Sequence, residues 1–145
     1  MVLKPAAYEN IVDFEDTAFA EMSPEEKRRM IGESLQKAHD GAYFELLAVC
    51  DGERVVGFMS LYAHSAHIIG IGPEIKKGLR RQGYGFRGET LALRYAGALG
   101  YTVAVAIVRE ENAASRALHE KLGFEAGAHC LGKKGNPVIL YVREI

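Results

Sequence analysis

Apolar residues recur along this chain in two spacings, and the alternation between them sets out the elements. Val2 to Lys4 reads as a short strand ended by Pro5. Tyr8, Ile11, Val12, Ala18, Phe19 and Met22 then follow a helical face. A second helix has a defined start: Ser23 as N-cap, Pro24 at the first position and Glu26 closing a capping box. Its apolar face is Met30, Ile31, Leu35 and Ala38, and it is expected to end near Asp40-Gly41. Three strand-like runs follow, Tyr43 to Cys50, Arg54 to His64 and His67 to Lys77. Asp51-Gly52 is a strong hairpin turn and Ser65-Ala66 a second short turn, so the runs form an antiparallel meander.

The third run holds Gly70, Gly72 and Pro73. Either it ends at Ile71, or a bulge re-aims it and frees backbone groups. Beyond it a long helix starts at Tyr84, with a face read as Tyr84, Gly88, Leu91, Tyr95, Ala98 and Leu99, and Gly100 stops it. Tyr101 to Val108 is a near-continuous apolar strand, as expected for one buried on both faces. The helix crosses over between two strands, so this pair is parallel. Asn112 caps a short helix with Ala114, Ala117, Leu118 and Leu122 inward, and Gly123 ends it. Phe124 to Cys130 and Pro137 to Glu144 are two last strands, joined by a surface turn from Leu131 to Asn136.

Composition narrows the class. With 145 residues, 48% hydrophobic and 26% charged, the chain is expected to form one globular domain, residues 1–145. A net charge of −1 gives no general basic footprint for nucleic acid. No apolar run is long enough for a membrane span, and Met1 to Pro5 does not read as a signal peptide. Cys50 and Cys130 have no metal or redox spacing, so reduced thiols in a cytoplasmic protein are expected, with no metal site.

The chemistry concentrates in Lys77-Gly78-Leu79-Arg80-Arg81-Gln82-Gly83-Tyr84-Gly85-Phe86. A glycine turn opening a helix presents unpaired backbone N–H groups at the positive end of the helix dipole, which suits a phosphate or pyrophosphate. Arg80 and Arg81 add charge beside it. Two readings compete. Gly83, Gly85 and Gly88 spell G-x-G-x-x-G with Glu110 downstream, the dinucleotide fingerprint, but too little chain follows to build that fold. Arg80-x-x-Gly83-x-Gly85 instead matches R/Q-x-x-G-x-G/A.

That second pattern resembles the pyrophosphate loop of the GNAT superfamily of N-acetyltransferases. Asn112-x-x-Ser115-x-x-Leu118-His119-Glu120-Lys121-Leu122-Gly123-Phe124 resembles the other hallmark of the same superfamily, N-x-x-[AS]-x-x-L-Y-x-K-x-G-F. Together they cover roughly Arg54 to Phe124, and the Leu-His-Glu version looks like the phosphinothricin-type branch. The resemblance implies an α+β (mixed α/β) fold. Its central, mostly antiparallel sheet has six to seven strands, helices on both faces, and one parallel pair splayed to hold coenzyme A.

It also implies roles. Acetyl-coenzyme A would be the co-substrate. Arg80, Arg81, Gln82, Gly83, Tyr84, Gly85 and Phe86 would hold its pyrophosphate. Ile75, Lys76 and Lys77 would bond its pantetheine arm through the strand backbone, and Asn112 and Ser115 would line that arm. A primary amine, on a small molecule or on a peptide or protein, would attack the thioester directly. The tyrosine that commonly protonates the departing thiolate is here His119. The mid-strand positions where relatives often carry a base hold Ile69 and Ile71, which leaves Glu74 and Glu110 as base candidates. His64 and His67 flank a turn and read as surface residues. A catalytically silent acyl-coenzyme A-binding regulator is the alternative function, and homodimerisation stays open.

Overall fold

The computed structural model describes Met1 to Ile145, the side chain of Asn10 aside. Seven strands form one sheet in the order β1 (Val2–Pro5), β2 (Phe44–Asp51), β3 (Arg54–Ala63), β4 (Ile68–Ile75), β5 (Val103–Arg109), β7 (Pro137–Glu144) and β6 (Glu125–Leu131). Every neighbouring pair is antiparallel except β4 and β5. Those two are joined across helix α2 (Tyr84–Ala98), as the crossover reading requires. The other helices are α1 (Pro24–Gln36) and α3 (Ala113–Lys121).

Strand alternation splits the core in two. Leu47, Val49, Met59, Leu61, Ile69 and Ile71 face α2, while Leu46, Ala48, Cys50 and Phe58 face Phe14 and Ile31 on the side of α1. Cys50 is buried and Cys130 exposed, and both are free thiols.

Several expected details differ. The first helical segment forms two 3₁₀ turns, Tyr8–Phe14 and Ala18–Glu21, not one amphipathic α-helix. Helix α1 has the expected cap, Ser23 accepting from the Glu26 N–H at 3.1 Å, but it stops at Gln36 because Lys37 turns left-handed at φ 56°. Its Ser34, not Leu35, points inward, bonding the backbone of Leu46. Strand β4 neither ends at Ile71 nor bulges: it reaches Ile75, and its register with β3 runs unbroken from Gly57–Ile75 to Ala63–Ile69. Register shifts fall instead at Val49/Cys50 and Ala126/His129. What frees β4 is its other neighbour. It pairs with β5 only from Ile68–Val103 to Gly70–Val105, then the two strands part. Pro73, which has no N–H to give, lies in the parted stretch.

The buried face of α2 starts with Tyr84 and Gly88 as expected but continues one position on, through Ala92, Leu93 and Ala96, while Leu91 is half-buried and Leu99 is exposed. A Cβ on Gly88 would lie 2.9 Å from Met59 and 3.2 Å from Val49, so small residues mark the line of closest approach. In α3, Ser115, Leu118 and His119 turn inward, whereas Ala114 and Ala117 are exposed.

Candidate active site

The mouth of the V between β4 and β5 is closed by the start of α2. Here lies a cleft of about 550 Å³. Its walls include Pro73, Glu74 and Ile75 from β4, Arg80, Arg81, Gly83, Tyr84 and Gly85 from the loop and helix start, and Asn112, Ser115 and Leu118 at α3. Leu79, Phe86, Ala114 and Lys121 complete it.

The loop is built to leave its amides open. Helices α1 and α3 are capped by side chains, Ser23 onto Glu26 and Asn112 onto Ser115 at 3.0 Å. Helix α2 begins at Gly83 with no side-chain cap. The first N–H groups of a helix have no intrahelical partner, so those of α2 border the cleft with the dipole behind them. Gly83 stands at φ 80° and Arg81 at φ 64°, left-handed conformations that curl the loop. Tyr84 anchors it from below: its hydroxyl donates to Asp51 at 2.8 Å and accepts from Arg54 at 2.9 Å. Gly85 has ordinary space around it. A Cβ there would stand 3.4 Å from Leu118 and 3.8 Å from Ile75, within the cleft itself. An open helix start, two arginines and a glycine that keeps the cleft clear fit a pyrophosphate with a narrow organic arm.

Not every expected residue reaches this cleft. Gln82 is exposed and off its wall. Lys76 and Lys77 are also off the wall, and their amides are used elsewhere: Lys76 N–H donates to Val56 and Lys77 N–H to Asp16, each at 2.9 Å. They close the turn, and of the three only Ile75 lines the cleft. Glu74 is on the wall, but one carboxylate oxygen accepts the Ala18 N–H at 2.9 Å and lies 3.8 Å from Arg80. Glu110 is an exposed turn residue off the wall, past the end of β5. Leu118 and Lys121 belong to the second motif, but nothing in the helical spacing singled them out as cleft residues.

His119 does not face the cleft. It is fully buried between α3 and α2, against Phe124 and Tyr141. Nδ1 lies 2.7 Å from the Ser115 carbonyl, which can only accept, so Nδ1 carries a hydrogen. Nε2 lies 2.9 Å from Oε1 of Glu89, itself fully buried on α2. One proton therefore sits between imidazole and carboxylate, and the pair is neutral overall. Burial pushes the Glu89 carboxyl up, more than the His119 bond and charge pull it down. Burial pulls His119 down, but the Glu89 hydrogen bond and charge, with the Ser115 carbonyl, raise it overall. The second oxygen, Oε2, has no partner among the described residues. Glu89 escaped the sequence reading because the face of α2 was taken one position off; on the true face it is the one acid beside Gly85, Gly88, Ala92 and Ala96.

Stability should follow this pair. Both folded pKa values lie above the ordinary ones. At neutral pH the folded pair keeps a proton that the unfolded chain gives up above the histidine's ordinary 6.5. Its contribution is therefore complete below that value and is lost as pH rises, with a limiting slope of about 1.4 kcal/mol per pH unit. Urea unfolding from pH 6 to 9 should show this decline, and Glu89→Gln, whose amide cannot exchange the proton, should flatten it.

A family model described as acetyltransferase (GNAT) domain matches residues 5–125. No curated protein matches in sequence. Among solved structures, a chimera of Vibrio cholerae spermidine N-acetyltransferase SpeG and hSSAT superposes with TM-score 0.83 at 16% identity, covering 99% of this chain and 96% of that one. RimL, a ribosomal L7/L12 α-N-protein acetyltransferase in complex with coenzyme A, gives 0.82 at 16% identity, covering 99% and 93%. A ribosomal-protein-alanine N-acetyltransferase from Brucella melitensis gives 0.81 at 19%, covering 100% of both chains. The dinucleotide alternative falls with the sheet, which has a single parallel pair. With its open helix start at a splayed strand pair and a family model spanning most of its length, the chain belongs to the GNAT acetyltransferase family.

Proposed function

We propose that this N-acetyltransferase uses the described residues as one domain, with the uncapped start of α2 as the grip on acetyl-coenzyme A. The observation that carries the reading is the juxtaposition of that helix start with the mouth of the β4–β5 V. The amides of Tyr84, Gly85 and Phe86 receive the pyrophosphate, and Arg80 and Arg81 neutralise it. Ile75, Leu118, Ser115 and Asn112 line the arm. Bound there, acetyl-coenzyme A supplies an activated acyl group. The chain's residues orient it and deliver a primary amine for direct attack. The partly desolvated amides strengthen the hold on negative charge.

His119 and Glu89 are positioning residues in this account. They tie α3, which carries Ser115 and Leu118, to α2, which carries the phosphate loop. His119 is too deeply placed, and both its nitrogens too committed, to hand a proton to the departing thiolate. That proton comes instead from the attacking nitrogen, which must lose one.

The acceptor is an amine on a small molecule or on a polypeptide. The similar structures include a spermidine enzyme and ribosomal-protein enzymes, so both classes belong in the test. Among the described residues no helix is long and apolar enough to cross a membrane. The experiment is incubation with acetyl-coenzyme A and spermidine, free amino acids or peptides with free N-termini, following thiol release and the mass of each amine. Acetylated amine matching the thiol released is the expected result. Tight cofactor binding with no acetylated product from any amine would instead support a silent acyl-coenzyme A-binding protein.

A further inference from the structure

The site so far lacks a group that can take a proton from the incoming ammonium. Ile69 and Ile71 are buried on the α2 side of the sheet, 0% and 2% exposed. Glu74 and Glu110 stand toward the wide end of the V, and Glu74 is already occupied. The other face of β4 is different. Gly70 and Gly72 point toward the α1 side there, and they are paired across the ladder with Tyr62 and Ser60. A Cβ on Gly70 would lie 2.6 Å from the Tyr62 ring and 3.0 Å from Nε2 of His64. A Cβ on Gly72 would lie 2.7 Å from the Ser60 hydroxyl. The two glycines thus form a floor, and Ser60, Tyr62 and His64 stand over it.

The location of this floor is what gives it meaning. Gly70 is the last β4 residue paired with β5, so it marks the apex of the V. An arm held at the α2 end must run up the V from Ile75 toward Gly70, a distance of about 17 Å of extended strand. That brings its reactive end to the stretch that Ser60, Tyr62 and His64 overlook. His64 is exposed, its ring meets the Tyr62 ring edge-on at 5.0 Å, and neither nitrogen is held in a hydrogen bond among the described residues.

Resting on the acetyltransferase reading above, we infer that His64 is the proton acceptor for the incoming amine, over a floor of Gly70 and Gly72 with Tyr62 as its wall. An alkylammonium arriving over this floor meets the Tyr62 ring, a favourable surface for a cation. Neutral His64 takes one proton from it and becomes imidazolium. The freed nitrogen lone pair forms the C–N bond to the acyl carbon. The C–S bond breaks with its electron pair going to sulfur, and the second nitrogen proton passes to that sulfur. His64 then returns its proton to water. Tyr62 is not a rival for this role, because burial raises its hydroxyl and keeps it protonated. The titratable side chains on this face of β3 and β4 are Tyr62 and Glu74, with His67 across the turn, and the register carries the same face on to Arg109 of β5 and Glu144 of β7.

Two readouts test the assignment, on His64→Ala, on His67→Ala as control and on the parent. The first is turnover of spermidine, free alanine and an alanine-initiated peptide against pH. His64→Ala should lose roughly 100-fold or more in kcat/KM at neutral pH. The loss should shrink as pH rises and the amine deprotonates itself, and added imidazole should restore part of it. Acetyl-coenzyme A affinity should be unchanged. The second readout needs no turnover. In the protein saturated with coenzyme A, the His64 ring-proton resonance should move when the same amines are added, and that of His67 should not. An alanine variant as active as the parent at every pH would overturn the assignment of His64 alone. A parent that binds acetyl-coenzyme A and acetylates none of the amines would overturn the acetyltransferase reading and this one with it.

Discussion

Gly85→Val is expected to abolish acetyl-coenzyme A binding while leaving the protein folded. The reasoning turns on where the new atoms go. The Gly85 backbone is in a helical conformation open to any residue, so the change brings no φ strain. The first added carbon makes ordinary contact with Leu118 at 3.4 Å and approaches Ile75 at 3.8 Å, so the folded protein accommodates it. Leu118 and Ile75 are the opposing cleft walls, and the branched side chain stands between them. It also covers the α2 amides that the pyrophosphate needs. Loss of binding should exceed 100-fold in a calorimetric titration, with the unfolding midpoint of the free protein shifted by only a few degrees, a change of about 1 kcal/mol. The neighbouring glycine is a contrasting control. Gly83→Val has no atom within 4 Å to meet, but it forces a branched residue to φ 80°. It should cost stability through backbone strain of about 1–2 kcal/mol.

Glu89→Ala is expected to be among the most destabilising single changes in the chain, at about 3–5 kcal/mol. It leaves His119 buried with Nε2 facing a void, in a place where a charged imidazole has no counter-charge and a neutral one no donor. Replacing both partners by apolar groups of similar size, Glu89→Met with His119→Phe, should cost much less, because no polar atom is then stranded. Urea unfolding of the two proteins measures the difference. If the single and double changes cost the same, the pair is not a coupled unit. Cofactor affinity should fall in Glu89→Ala beyond what the unfolded fraction explains, since the phosphate loop and α3 are held in register through this pair.

The sequence made the strands, the three-strand meander and the parallel pair legible because hairpin turns, alternating residues and the crossover helix determine them. It made the phosphate loop legible because glycines and arginines are needed there for stated reasons. The faces of the helices were harder. In α2, large residues such as Leu91 and Leu99 looked like the core, yet close packing on the sheet places Ala92 and Ala96 in line with Gly88. Counting apolar residues favours the bulky face, and only the distance between helix and sheet reverses the choice. That one-position error also hid Glu89 and left His119 without its partner. The roles of Lys76 and Lys77 were illegible for another reason. Their amides are claimed by Val56 and Asp16, residues distant in sequence that only the folded chain brings near. The glycines of β4 read as a strand end or a bulge, because a strand that has lost a neighbour on one side looks the same in sequence as one that stops or is kinked. In the structure they clear the floor beneath Tyr62 and His64.

The central claim, that the start of α2 grips acetyl-coenzyme A, is tested most directly by thermal unfolding with that ligand. At 100 times its dissociation constant, acetyl-coenzyme A should add about 2.7 kcal/mol to the stability of the parent. For a chain of this length that raises the unfolding midpoint by roughly 5–10 °C. Gly85→Val should show no shift at the same concentration. A parent whose midpoint does not move with acetyl-coenzyme A, or moves equally with NAD, would contradict the account.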